Sequence, residues 1–481
     1  MVSRYMKHTM YTPKPLLGLI LAALLGAAQP AWSQTPGVDG VQPSTPETVV
    51  ETATTAASTT KMESFEEWVA NFEREFQPIG QASQGRSFFA GQAAVKGSML
   101  DGNFGRRLAM AYEEAMFDMR ADFIMQNYGR LKTEAVRTIY EDGSDNRDEF
   151  PAAELETAAA AGGSRLEALL DKALTVVEKK LDSQLIEQGV PAEELTRISV
   201  EQKKTLFKNN LHKTITKRAF HSMQGLVPVQ TRIFTHDTPN GKVAIVGVIA
   251  VRSEKTQQFA RDITRKRPTL VTGTPRSLND LLPSEPRGYL DEIGLRYVYD
   301  EQGRPMLLAY GRASVSIAPD WSPSRVFQAK QNATQQARAL AESNIIEFMN
   351  TSVQVEETNN IGTTEEEQLE RVTQFDSGKP GEITDTRRQV ADAISVFTKS
   401  GKAVAQGDLR GTSVVKTWSE TDENGVLHVG SVVTWSYAQL ENANAIDAQG
   451  KGGRSGGATA AQGTAADQSR SSRRVNDRND F

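Results

Sequence analysis

Few of the residue types that do covalent or metal chemistry are present. Cysteine is absent from the 481 residues, which removes thiol nucleophiles, thiolate metal sites, disulfides and lipid attachment at an N-terminal Cys. Beyond the N-terminal region the histidines are His212, His221, His236 and His428. His212 and His221 stand nine residues apart, which places them on opposite sides of a helix and spoils them as a ligand pair. The sequence holds no HExxH, no nucleophile-elbow GxSxG and no phosphate-binding P-loop, since Gly241-Lys242 and Gly401-Lys402 lack the Ser or Thr that must follow. Ser58-Thr59-Thr60-Lys61 has SxxK spacing but no companion motifs. Asp142, Asp145, Asn146, Asp148 and Glu149 have the composition of a calcium loop, yet Gly143 stands in the wrong place for its sharp turn. Glu365, Glu366, Glu367 and Glu370 follow Thr363-Thr364 as acids follow a helix cap. The sequence therefore predicts no catalytic residue, no metal and no cofactor. One basic knot, Arg265, Lys266 and Arg267, is a candidate contact for an anionic envelope polymer.

The elements around these residues repeat. Thr417 to Ser436 reads as a hairpin turning at Asn424-Gly425, and Thr231 to Ser253 as a second turning at Asn240-Gly241. In the later hairpin, pairing through Asn424-Gly425 puts Trp418, Leu427, Val429, Val433 and Trp435 on one face and His428 and Thr434 on a wet one. In the earlier one both faces are apolar, which predicts a sheet covered on both sides, with Phe234 lying opposite Gly247. Each copy opens with a short strand, Phe88 to Val95 or Leu307 to Val315. An Ala-rich helix follows, with Leu108, Ala111, Ala115 and Met119 in one copy and Ala329, Ala333, Ala337 and Ala341 in the other. Small residues at helical period let a helix lie close on a sheet. The first copy holds extra, mostly helical sequence between about 164 and 223, and the second a short strand at Ser352 to Val355. Ser64 and Glu67 match a capping box.

The expected fold class is α+β: two tandem divergent copies of a small antiparallel sheet covered by helices, with disordered N- and C-terminal tails. The expected boundaries are a signal peptide at 1–33, a leader at 34–60, a first domain at 61–265, a Pro-containing linker at 266–294, a second domain at 295–446 and a Gly/Ser/Ala-rich tail at 447–481. Arg4, Lys7 and Lys14 precede the apolar run Leu16 to Ala28, and Ala31 and Ser33 are small residues at cleavage-site positions before Gln34. That run is shorter than the roughly 20 residues a spanning helix needs. The mature chain is thus expected to be exported, periplasmic or extracellular, without a transmembrane segment. A net charge of −5 gives nucleic acid nothing to bind.

Ala309-Tyr310-Gly311-Arg312-Ala313, the Ala329 to Leu340 stripe, and Asn424-Gly425 with Val432-Val433 together resemble envelope domains of flagellar lipoproteins of the FlgP and FlgT type and SIMPL-like periplasmic domains. Those lipoproteins carry a lipidated Cys that this chain lacks. The expectation is a non-enzymatic scaffold or assembly factor of the cell envelope, acting on an envelope protein complex or by self-association. The alternative is a periplasmic ligand-binding protein or hydrolase with a site between the copies, which requires residues such as Asp142, His221, His236 and Glu254 to converge.

Overall fold

Two four-stranded antiparallel sheets carry the fold, and three strands of each follow the same path. The computed structural model describes residues 63–76, 85–143, 152–161, 163–238, 241–357, 390–391, 394–395, 410–449 and 470–471. The first sheet has the order β1-β3-β2-β8, from β1 (Ser87–Ala94), β2 (Val227–Thr238), β3 (Gly241–Arg252) and β8 (Arg470–Ser471). The second has the order β4-β5-β7-β6, from β4 (Gly294–Tyr299), β5 (Pro305–Val315), β6 (Thr412–Thr421) and β7 (Leu427–Ser436). In each copy an opening strand leads into a long helix, α2 (Phe104–Gly143) or α10 (Pro323–Glu357). A hairpin follows whose second strand pairs with the opening one, and then a closing helix, α8 (Glu254–Thr264) or α11 (Tyr437–Gln449). The fold is α+β and duplicated.

Each long helix lies on its sheet through a glycine. A side chain on Gly91 of β1 would run into the backbone of Ala115 and Met119 of α2, and one on Gly311 of β5 into Ala337 and Ala341 of α10. Ala115, Ala337 and Ala341 are fully buried, so the alanine stripe of the sequence is the seam between helix and sheet. β-Branched Val353 and Val355 favour a strand locally, but α10 continues through Ser352 to Val355. Phe348 and Met349, packed in the core one turn earlier, carry the helix past that preference.

The first sheet is covered on both faces, as its two-sided apolar strands require. Helix α2 covers Ala244, Val246, Val248 and Ala250. Helix α1 (Phe65–Phe76) brings Trp68, Phe72 and Phe76 over the face of Phe234, Ile249 and Val251. Its N-terminus has the expected capping box, with Ser64 N–H donating to Glu67 Oε2 (3.0 Å) and Glu67 N–H to Ser64 Oγ (3.1 Å).

Register departs from the sequence reading in both hairpins. Thr238 pairs with Gly241, so Gly241 is the first residue of β3, and residues 239–240, with Asn240, lie outside the described residues. Phe234 accordingly pairs with Ile245 rather than Gly247, a slip of two that keeps every side chain on its expected face, and the ring still overlies Gly247. In the second hairpin the slip is one. Thr421 pairs with Leu427 across a five-residue loop, Asp422 to Val426, because Asp422 Oδ1 accepts from the N–H groups of Asn424 and Val426 (both 2.9 Å) and Gly425 takes a positive φ of 76°. An odd slip reverses faces, so Trp418 pairs with Gly430 and shares the side of His428 and Val432. That side is not wet. Leu281, Leu282, Tyr289 and Leu290 from the interval between the copies, including α9 (Leu278–Leu281), pack on it, and Tyr289 stacks on Trp418 with centroids 5.7 Å apart.

The two copies share one core. Phe259 of the first copy meets Tyr297, Phe348, Trp435 and Tyr437 of the second at centroid separations of 5.3 to 6.3 Å. Polar bridges fix the seam: Arg120–Glu347 at 2.5 Å, Tyr112 OH accepting from Leu295 N–H at 3.0 Å, Gly105 N–H donating to Ser314 Oγ at 2.8 Å, and buried Arg296 reaching Thr231 and Glu292. The expected linker is thus ordered packing material, and the tail is partly structured, since α11 runs to Gln449 and Arg470–Ser471 forms β8.

The close helix–sheet approach makes a direct prediction. Gly311→Ala should force α10 away from β5 and destabilise the protein by about 3 kcal/mol, read as a lower midpoint in urea unfolding. Gly91→Ala should act comparably, whereas Gly129→Ala, with open space at its Cβ, should raise stability by up to about 1 kcal/mol.

Candidate functional site

The helical sequence inserted in the first copy builds its own small core on the C-terminal half of α2. Helices α3 (Ala152–Ala161), α4 (Gly163–Val176), α5 (Leu181–Glu187), α6 (Ala192–Leu195) and α7 (Val200–His221) surround Val136, Leu170, Leu174, Leu185 and Phe207. Ser199 caps α7 in a complete capping box with Gln202, which fixes where the helix starts and so which face it presents.

That face is a basic stripe set against acids. Lys204 Nζ lies 2.9 Å from Glu178, and Lys208 Nζ lies 2.9 Å from Asp171 and 2.7 Å from Glu167. His212 Nε2 is 3.5 Å from Glu167, while Tyr128 OH is 2.6 Å from His212 Nδ1. Lys132, only 1% exposed, completes the group with Nζ 2.7 Å from Glu167 Oε2. Burial works against charge on Glu167, but hydrogen bonds from His212, Lys132 and Lys208 outweigh it and hold the carboxyl below the usual carboxylate range. Burial lowers the Lys132 ammonium, with Glu167 opposing the shift, and burial with the Glu167 charge raises the Tyr128 phenol. Tyr128 OH and His212 Nδ1 share a hydrogen bond, and the Nε2 edge of the ring faces Glu167. Such a chain can relay a proton, but its ammonium is enclosed by protein. Its evident work is to fix α7 against α2 and α4.

On the neighbouring face of α7 lies a groove of about 320 Å³ between α2, α5 and α7. Leu131, Ile139, Phe207, Leu211 and Ile215 supply its apolar lining, and Glu134, Glu187, Gln188, Thr214 and Arg218 also line it. Its volume is at the lower end of the range for small-molecule sites, about 300–1,000 Å³.

The residues singled out in the sequence are dispersed. His221 ends α7 and Glu254 begins α8, both exposed at one end of the first sheet. His236 is exposed near the far end of β2, nine residues beyond Val227, about 30 Å along the strand at 3.3 Å per residue. Asp142 lies in the last turn of α2, and residues 145–149 lie outside the described ones, as do Ala31, Ser33, Gln34 and 363–370. The structure therefore does not bring Asp142, His221, His236 and Glu254 together, and the shared aromatic core fills the space between the sheets. His428 is enclosed: Arg312 Nε donates to its Nδ1 at 2.9 Å, and its Nε2 donates to Asp422 Oδ2 at 3.1 Å. Among the described residues no group of three His, Cys, Asp or Glu could hold a metal ion.

The basic knot closes a helix. Arg265 caps α8, Lys266 takes a left-handed φ of 50° and donates its N–H to Ile263 O, and Arg267 N–H reaches Asp262 O, the two bonds of a Schellman ending. Arg267 Nε also binds the buried Asp262 carboxylate at 2.6 Å. The Arg267 guanidinium is therefore committed to the helix end.

The buried charge network was not singled out from the sequence, although a signal exists. Tyr128 and Lys132, Glu167 and Asp171, and Lys208 and His212 are each four residues apart on three helices.

A domain of unknown function, DUF6844, matches residues 166–265, from α4 through the end of α8, so it includes Glu167, Asp171, Lys208 and His212. The chain is similar in structure to a 2.3 Å crystal structure of the hypothetical protein FTT1539c from Francisella tularensis. The identity is 19%, with 80% of this chain and 93% of that one covered at a TM-score of 0.48. No curated protein sequence matches this chain.

Two measurements test these assignments. Glu167→Gln leaves Lys132 buried against a neutral amide and should cost about 3–5 kcal/mol. Because the folded carboxyl titrates below its unfolded value of about 4.3, its contribution is complete above that pH and is lost as pH falls through the lower folded value. The wild type should therefore lose stability on acidification below about pH 4.3 more steeply than the variant. Separately, Lys266→Gly relieves the left-handed strain and should raise stability by about 0.5–1 kcal/mol in chemical denaturation.

Proposed function

We propose that this protein is an exported scaffold or assembly factor of the cell envelope, acting by contact with an envelope protein complex, and that its helical subdomain is the contact surface. The observation that carries the reading is the asymmetry of the duplication. The two copies use their sheets to build a common core, and among the described residues the helices with a core of their own, a locked charge network and an open groove belong to the first copy. A subdomain with a core of its own, joined to the core of the first sheet through Ala219 and Phe220 of α7, suits a surface presented to another protein. The signal-like N-terminus supports export, and among the described residues no helix is long and apolar enough to cross a membrane. The resemblance to flagellar envelope domains makes a flagellar assembly the first machine to examine.

A photo-crosslinking residue at Gln188 or Thr214, in the groove, is expected to capture one stoichiometric envelope complex in intact cells. The same residue at exposed Glu301, on a β-hairpin turn of the second copy, is expected to capture none. Equal capture from all three positions, or none from the groove, would overturn the assignment.

A further inference from the structure

The groove beside the charge network has helical walls with a regular pattern. Leu131, Ala135 and Ile139 form an i, i+4, i+8 row on α2, and Phe207, Leu211 and Ile215 form a matching row on α7. These apolar side chains line the interior. The rims are polar and also run at a spacing of four, Glu134 and Thr138 on α2, Thr214 and Arg218 on α7. Gln184, Glu187 and Gln188 close the end near Phe207, where α5 runs beside α7: Lys203 Nζ lies 2.7 Å from Asp182, and Asn210 Nδ2 donates to Gln188 Oε1 at 3.3 Å. Arg218 stands at the other end, eleven residues after Phe207, about 16 Å along α7 at 1.5 Å per residue. Because Lys208 and His212 tie α7 to Glu167, the groove is formed before anything enters it, which lowers the ordering cost of binding.

We infer that the groove receives a three-turn amphipathic helix of a partner protein, with apolar residues at i, i+4 and i+7 and a carboxylate set against Arg218. Rows of side chains four apart bound a groove into which the ridge of another helix packs, and helix-in-groove recognition uses this anchor spacing. Three turns measure about 16 Å, the span from Phe207 to Arg218. An extended segment would alternate its side chains between two faces, whereas a helix turns one continuous apolar stripe into the groove. Charge fixes the polar part of the partner. Arg218 is exposed, and its guanidinium has neither an ion pair nor a hydrogen bond among the described residues, so a partner carboxylate meets it without displacing an existing contact. At the α5 end Glu187 is exposed and has no ion pair among the described residues, and Gln184 Oε1 is enclosed with no hydrogen-bond partner. A base or an N–H donor on the partner suits that end. The inference rests on the groove being the contact surface and adds the kind of partner that fits it.

The test is fluorescence anisotropy on the full-length protein with a labelled, end-capped model peptide of three to four turns. The peptide carries Leu at i, i+4 and i+7, Glu in one terminal turn and Lys in the other. A counterpart with that Glu changed to Lys is expected to bind about tenfold more weakly. In the Arg218→Glu variant, altered at an exposed side chain, the order of the two peptides is expected to reverse. A proline at the centre of the first peptide breaks its helix and is expected to weaken binding by at least about tenfold. Equal affinity of the two peptides, an unchanged order in the variant, undiminished binding of the proline peptide, or no binding at all would overturn the inference. Dodecanoate that displaces the peptide and binds more tightly would also overturn it, by assigning the groove to a free amphiphile. Capture of an envelope complex from Gln188 or Thr214 in cells is read separately, so the helix can fail while the contact surface stands.

Discussion

Backbone laid on backbone is the constraint from which the architecture follows. Where Gly91 meets Ala115 and Gly311 meets Ala337, nothing larger than hydrogen separates the long helix from the strand beneath it. At that distance the helix can sit in only one place along the strand, because shifting by a residue would bring a side chain into the gap. The position of the helix then decides what its flanking residues reach. From α2, Tyr112 extends to β4 and Arg120 to Glu347; from α10, Phe348 and Met349 descend into the common core. Two local contacts thus determine how the copies join.

The seam between the copies mixes apolar burial with charges, and the two do different work. The aromatic cluster around Phe259 is tolerant of small displacements, being driven mainly by removal of surface from water. The bridges made by Arg296, Arg120 and Tyr112 are not tolerant, since each leaves a costly unpaired group if the sheets shift. Tyr112 is pushed up to about 12 chiefly by burial, so its phenol stays neutral and keeps accepting the Leu295 N–H throughout the physiological range. Apolar packing supplies the cohesion, and the polar contacts set the relative placement.

Much of this was legible in the sequence wherever one short-range signal acted alone. The alanine stripe, the Ser64 capping box, the repeated hairpins and the two-sided apolar strand of β3 all state local requirements that the chain obeys. Register was less legible, because an Asn-Gly pair suits a two-residue loop as well as a longer one. In the second hairpin Asp422 decides for five residues, and Asp300 does the same for the turn before β5, its Oδ1 accepting from Gln302 and Arg304. The parallel between Asp300-Glu301-Gln302-Gly303 and Asp422-Glu423-Asn424-Gly425 was there to be seen. Trp418 and His428 could not be placed without it, nor without the segment that covers their side of the sheet. The charge network of the helical subdomain depends on three helices meeting, which local periodicity does not encode.

The shared core also bears on how the chain reaches its folded state. Strand β1 finds its partner β3 only after more than 150 intervening residues, Ser87 pairing with Arg252. One face of that sheet is then completed by Leu307, Trp435 and Tyr437 from the second copy. A chain emerging from its N-terminus therefore cannot finish its first copy before the second has followed. Contacts so distant in sequence make for slow assembly. Duplication usually yields modules that mature one after another; here it yields a single event that waits for the last strand.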